Sequence, residues 1–129
     1  MDKLERANNA VNYKRNGYNC CQAVAAALAD QVNMSPEVLH QVTAGFAVGM
    51  GTMEATCGAL IGASVIAGLK TNGAGTVKVS SQMLKEFESM SKATVCKDLK
   101  GRDTGVVLCP CEDCVKNAVL AYANIVGIE

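Results

Sequence analysis

The chain has 129 residues and a mass of 13.4 kDa, a length that one domain, residues 1–129, accounts for. Half of the residues are hydrophobic, which excludes a disordered chain. Twelve basic residues balance twelve acidic ones and aromatics make up only 4%, so the chain carries no footprint for nucleic acid or an anionic membrane and no base-stacking platform.

Residues 2–13 are expected to form a first helix, with Leu4, Ala7 and Val11 as a thin apolar stripe and Asn16-Gly17 as a stop. Asn19 is a good N-cap for a second helix over residues 20–32, in which Cys21, Val24, Ala25, Leu28 and Val32 share one face. Ser35-Pro36-Glu37 starts a third, which runs to about Ala44. The glycine-rich residues 45–51 break the helix. Thr56 is then expected to cap a small, apolar, buried helix over residues 57–69. In it Gly58, Gly62 and Ala63 allow close backbone approach. An amphipathic helix over residues 77–92 follows, with Met83, Leu84, Phe87 and Met90 inward. Residues 96–100 make a short turn ended by Gly101, and residues 111–126 the last helix, with Cys111, Val115, Ala118, Val119, Tyr122 and Val126 on one face. The β-like run Val106-Val107-Leu108 has no partner strand. The expectation is an all-α, single-domain compact bundle of five or six helices.

The first ten residues, MDKLERANNA, lack the apolar core of a signal peptide. The longest apolar stretch, residues 55–69, is too short and polar for the roughly 20 residues of a membrane span. A cytoplasmic location is expected, without membrane insertion and without a nucleic-acid partner. There, seven cysteines point to metal binding or redox chemistry rather than to a permanent disulfide framework. Their odd number leaves at least one thiol unpaired in any fully disulfide-bonded monomer.

Cys20 and Cys57 each follow an expected helix cap, Asn19 and Thr56. A thiol beside unpaired helix N–H groups and the positive dipole end can fall from about 8.5 to roughly 3.5–7.5 in pKa, and the thiolate is both nucleophile and metal ligand. The plainer alternative is cysteine as a small buried hydrophobe. Cys109, Cys111 and Cys114 form a third cluster, CPCEDC, whose Cys111 and Cys114 stand one helical turn apart. No second CxxC pair exists, so a four-thiolate site would have to collect distant cysteines, from Cys20, Cys57 and Cys96. Cys21, on the apolar stripe, is expected to be structural. His40, the only histidine, is expected to be an incidental surface residue, and Glu54 a solvated loop carboxylate. The glycine run lacks the GK[ST] of a P-loop, which removes nucleotide binding.

The pattern Cys57-Gly58-Ala59-Leu60-Ile61-Gly62 resembles the central motif of the C_GCAxxG_C_C family of redox-active proteins. Asn19-Cys20-x-Gln22-Ala23-Val24 resembles that family's first cysteine segment, and Gly45-Phe46 with Gly49-Met50-Gly51 its glycine-rich approach. Cys96-Lys97-Asp98-Leu99-Lys100-Gly101 resembles the third segment, and Cys111-x-x-x-Val115-x-x-Ala118 the fourth. The resemblance implies a helical domain with a redox role and four key cysteines, here Cys20, Cys57, Cys96 and Cys111. Cys21 stands where a small residue is more usual, while Cys109 and Cys114 flank the fourth position and are expected to be auxiliary. A similar domain in split-Soret cytochromes adds an iron–sulfur role to the options.

Four readings stand at this point. With Cys20, Cys57, Cys96 and Cys111 as the catalytic candidates, Cys20 and Cys57, or Cys57 with the C-terminal cluster, cycle between dithiol and disulfide, as a thiol-dependent oxidoreductase would use them. Alternatively the same four hold an iron–sulfur cluster, or a structural zinc ion, or the thiols are inert in a helical interaction module. The partner is a redox protein or a small-molecule oxidant that the sequence does not name, and the apolar helix faces make a homodimer reasonable.

Overall fold

The computed structural model describes residues 1–128. Seven α-helices follow in order: α1 Lys3–Arg15, α2 Cys20–Ala27, α3 Pro36–Val42, α4 Gly58–Lys70, α5 Thr76–Ser91, α6 Cys96–Lys100 and α7 Cys111–Val126. Among the described residues there is no strand beyond a single bridge, so the all-α expectation holds. No helix is long and apolar enough to cross a membrane.

Side-chain caps start the first three helices. Asp2 accepts from the Glu5 N–H at 2.8 Å, and Ser35 accepts from the Val38 N–H at 3.2 Å. Asn19 and Gln22 form a reciprocal capping box at the start of α2, which fixes the backbone on which Cys20 sits. Helix α2 is shorter than its apolar pattern suggests. It closes at Ala27, and a 3-10 turn over Ala29–Gln31 follows. That turn carries Asp30 back onto Arg6 of α1, where a paired, two-point ion pair compensates a guanidinium that is nearly buried. The Arg6–Asp30 pairing belongs to a face of α1 built on Ala7 and Ala10, whereas Leu4 of the expected stripe is exposed.

Helix α2 packs chiefly on α4, and α7 packs on α1 and α5. The contact between α2 and α4 depends on Gly62, because a Cβ there would lie 2.5 Å from the backbone oxygen of Cys21. One buried cluster, including Val24, Leu28, Ile66, Phe87, Val119 and Tyr122, runs through the helices. Met83 and Phe87 are fully buried on α5, as their spacing predicts, while Leu84 is partly exposed.

The segment between α3 and α4 is not a simple loop. Val48, Met50 and Met53 all have positive φ, at 55°, 59° and 63°. A β-branched residue such as Val48 rarely adopts this conformation, so the segment is strained into its path. Thr56 does not cap α4. Instead it pairs in an antiparallel bridge with Val95, and Cys57 takes the cap position. Two hydrogen bonds flank the bridge, from Cys57 N–H to the Thr94 carbonyl at 2.8 Å and from Cys96 N–H to the Ala55 carbonyl at 3.0 Å. This pairing puts the starts of α4 and α6 side by side. Residues 106–108, the one β-like run in the sequence, form no strand and are exposed.

A cavity of thiols at the meeting of four helix starts

Four helix starts meet at one cavity of about 120 Å3. Cys20 from α2, Cys57 and Gly58 from α4, Cys96 and Lys100 from α6, and Cys111 and Cys114 from α7 line it, with Lys14, Val48 and Met53 among the remaining walls. The four positions implied by the family resemblance thus share one space. Cys114 shares it too, whereas Cys21 and Cys109 do not line it.

Burial sorts the thiols. Cys57 is 3% exposed and Cys114 fully buried, but Cys111 is exposed. The expected apolar stripe of α7 therefore begins at Cys114 and Val115. Cys111, the first helical residue, extends past the helices that cover that face. Cys21 is fully buried, as its place on the α2 stripe predicts. Cys109 is buried outside the cavity, and its carbonyl oxygen accepts from Lys100 Nζ at 3.1 Å.

The motif glycines have distinct steric reasons. Gly62 admits the backbone of α2. At Gly58 a Cβ would lie 2.7 Å from Cys20 Sγ and 2.8 Å from the Phe46 carbonyl oxygen. The cap position of Cys57 thus lies next to Cys20, which passes over the first turn of α4 because that turn lacks a side chain.

The ionisation of these thiols divides sharply. A hydrogen bond from the Cys114 thiol, set against the cost of burial, brings Cys57 below the ordinary thiol range; the N–H groups of Ala59 and Leu60 and the charge of Lys100 add to this. No closed side-chain cap forms at Cys57, but the unpaired helix-start N–H groups still favour its thiolate. Cys114 is shifted the other way, by that same hydrogen bond, by burial and by the charge of Cys57. Cys114 stays protonated, and its thiol donates to the Cys109 carbonyl oxygen at 3.4 Å. Burial, followed by the charge of Cys57, also raises Cys20 and Cys96. The position of Cys20 after its cap therefore does not make it a thiolate, because loss of solvent outweighs the helix-start N–H groups.

Lys100 is the cation of the site and is easily passed over in the sequence. Its Nζ lies 3.3 Å from Cys114 Sγ. Burial works against its charge, yet the thiols of Cys114, Cys111 and Cys57 outweigh that cost and keep it protonated. Its spacing from Cys96, four residues along one helix, is the signal that points to it.

Glu54 is exposed but is not simply solvated. It pairs with Lys97 at 3.2 Å and Arg102 at 2.8 Å, tying the strained segment to α6 and to the turn after it. His40 lies away from the thiols, where its ring packs edge-on against Tyr18 at 4.8 Å and its Nε2 is 3.2 Å from Gln22 Nε2.

Among the described residues, no group of three or more His, Cys, Asp or Glu side chains is arranged to hold a metal ion. Cys20 Sγ rests against the backbone of α4, and Cys114 Sγ is engaged by Lys100.

A family model described as "Putative redox-active protein (C_GCAxxG_C_C)" matches residues 18–125. No curated protein and no solved structure matches the chain.

Proposed function

The chain belongs to the C_GCAxxG_C_C family, and we propose that it is a dithiol–disulfide redox protein in which Cys57 and Cys114 are the working pair. The observation that carries this reading is the cavity that both thiols line, with Lys100 Nζ 3.3 Å from Cys114 Sγ. Cys57 occupies the cap of α4, where the neighbouring Cys114 and the helix-start N–H groups favour its thiolate. A thiolate is the nucleophilic form of cysteine, and a neighbouring thiol can resolve the first oxidised product.

Oxidation of the pair removes two electrons and the one proton that Cys114 carries, and forms one S–S bond. An external dithiol returns both electrons. Cys20 is the less suitable partner, because burial and the charge of Cys57 hold it protonated and its Sγ is seated against Gly58.

The test is equilibration of the anaerobic protein in dithiothreitol buffers of graded oxidation, followed by acid quench, alkylation and peptide mapping. The expected result is a reversible disulfide joining the peptides of Cys57 and Cys114. Absence of any disulfide, or one that excludes Cys57, overturns the reading.

A further inference from the structure

We propose that residues 48–54 form a lid over the thiol cavity, and that the ion pairs of Glu54 with Lys97 and Arg102 are the clasp that holds it shut. The lid governs entry to the cavity whichever of its thiols react, a role beyond the redox reaction itself.

Between α3 and α4 the chain crosses the starts of two helices at distances that only glycine allows. A Cβ on Gly58 would lie 2.8 Å from the Phe46 carbonyl oxygen and 3.0 Å from Ala47 Cα, and a Cβ on Gly49 would lie 2.9 Å from Cys96 Cβ. The backbone is thus laid against the first turns of α4 and α6, and Ala47, Val48 and Met53 form one wall of the cavity. The conformation is one that these residues do not favour. Val48, Met50 and Met53 have φ of 55°, 59° and 63°, where an L side chain crowds its own backbone.

Strain of this kind persists only where surrounding contacts hold it. Within the segment, Thr52 Oγ1 donates to the Gly49 carbonyl at 3.1 Å and accepts from the Glu54 N–H at 3.2 Å. Three polar links tie it to α6 and the turn after it. Lys97 Nζ reaches Glu54 Oε2 at 3.2 Å, Arg102 Nη2 reaches Glu54 Oε1 at 2.8 Å, and Arg102 Nη1 donates to the Thr52 carbonyl at 3.0 Å. Val48 and Met50 are 55% and 58% exposed, so their side chains anchor the segment little. Beyond Glu54 the chain is fixed separately, by the bonds from Cys57 N–H to the Thr94 carbonyl and from Cys96 N–H to the Ala55 carbonyl. The clasp can therefore release while the bridge behind it stays closed, which makes residues 55–57 the hinge. Glu54 is exposed, and salt at about 1 M screens surface charges beyond about 3 Å.

The experiment takes reduced full-length Cys111→Ser protein and measures, by peptide mapping, how fast Cys57 is modified by iodoacetamide and by a maleimide carrying a polyethylene glycol chain. Both reagents are uncharged and both react with the thiolate, so the ratio of bulky to small rates cancels ionisation and reads access. On the scale of exposed ion pairs, Glu54→Gln should raise that ratio about 5-fold. Sodium chloride at about 1 M should raise it similarly in the parent and little further in Glu54→Gln. Met50→Asn should lower it, because asparagine tolerates left-handed backbone and Met50 belongs neither to the cavity wall nor to the clasp. Hydrogen exchange separates a lid from general loosening. In Glu54→Gln the N–H groups of Glu54 and Ala55, bonded to Thr52 Oγ1 and the Gly49 carbonyl, should exchange faster, and those of Cys57 and Cys96 should not. An unchanged ratio in Glu54→Gln, an equal salt response in both proteins, or exchange that quickens equally at Cys57 and Cys96 overturns the proposal. None of these readouts involves a disulfide, so such a failure leaves the Cys57–Cys114 pair standing, and absence of that disulfide in the dithiothreitol titration leaves the lid standing.

Discussion

Lys100 Nζ lies 3.3 Å from Cys114 Sγ and 3.1 Å from the Cys109 carbonyl oxygen, so one side chain of α6 binds both sides of the entry into α7. The ammonium is half-buried among thiols, where a positive charge is screened less than at the surface. It favours the anionic form of the pair. Lys100→Met should therefore move the thiolate absorbance of Cys57 to higher pH, and each unit of that shift lowers the thiolate fraction below the midpoint about tenfold. Alkylation by iodoacetamide at neutral pH should slow in step, and Lys100→Arg should restore part of the effect. An unchanged titration in Lys100→Met would mean that the helix-start N–H groups and Cys114 alone hold the thiolate.

The two motif glycines should fail differently when replaced. In Gly62→Ala the new Cβ meets backbone, 2.5 Å from the Cys21 carbonyl oxygen, and can be accommodated only by moving α2 away from α4. In Gly58→Ala it meets Cys20 Sγ at 2.7 Å as well as the Phe46 carbonyl oxygen at 2.8 Å. Overpacking costs roughly 1–3 kcal/mol. Urea unfolding should place Gly62→Ala at the upper end of that range. Gly58→Ala should combine a smaller loss with altered reactivity at Cys20. Equal losses and unaltered thiols would show that the first turn of α4 yields without disturbing the cavity.

The difference between these glycines marks what is legible in the sequence. Helix positions follow from caps and spacing, and Asn19, Ser35 and Gly101 act as their residue types suggest. The convergence of Cys20, Cys57, Cys96 and Cys111 follows from the family pattern. Three features do not. The cap of α4 moves from Thr56 to Cys57, because Thr56 is drawn into pairing with Val95, a contact across 39 residues that no local signal encodes. Cys114 replaces Cys111 as the inward residue of α7 because burial at a helix end depends on where the covering helices stop. The lowered thiol is Cys57 and not Cys20, because the outcome depends on burial at Cys20 and on Cys114 and Lys100, brought beside Cys57 from distant segments.

Stability under reducing conditions should pass through a maximum with pH. Cys57 is pushed down to about 6 in the folded chain, against about 8.5 for an ordinary thiol. Its contribution is complete above that ordinary value and fades as the pH falls from about 8.5 to 6. Burial acts in the opposite sense on the other thiols, with Cys21 pushed up to about 12 and Cys20 and Cys96 also raised. Their contribution is complete below about 8.5 and is lost as the unfolded thiols ionise above it. Urea midpoints should therefore rise from pH 6 to 8 and fall between pH 9 and 10. Cys21→Ala should flatten the alkaline limb. A midpoint that keeps rising past pH 9 would mean that the buried thiols are not held neutral by the fold.

Reagent size should separate the cysteines of the native, reduced protein. Cys111 is the exposed thiol, standing on the first residue of α7 and lining the same cavity as the buried ones. A maleimide carrying a polyethylene glycol chain should therefore add to Cys111 first. Cys57 is the more reactive sulfur by ionisation, but it is nearly closed off. It should be modified by iodoacetamide and spared by the bulky reagent. Cys21 and Cys109, buried and outside the cavity, should be spared by both until the chain unfolds. The decisive comparison is Cys111→Ser. If that variant still reacts rapidly with the bulky maleimide at Cys57, then the cavity opens in solution far enough to admit large partners. If the bulky reagent finds no fast site in Cys111→Ser while iodoacetamide still modifies Cys57, access to the thiolate is governed by the dimensions of the cavity and not by the exposure of the cluster as a whole.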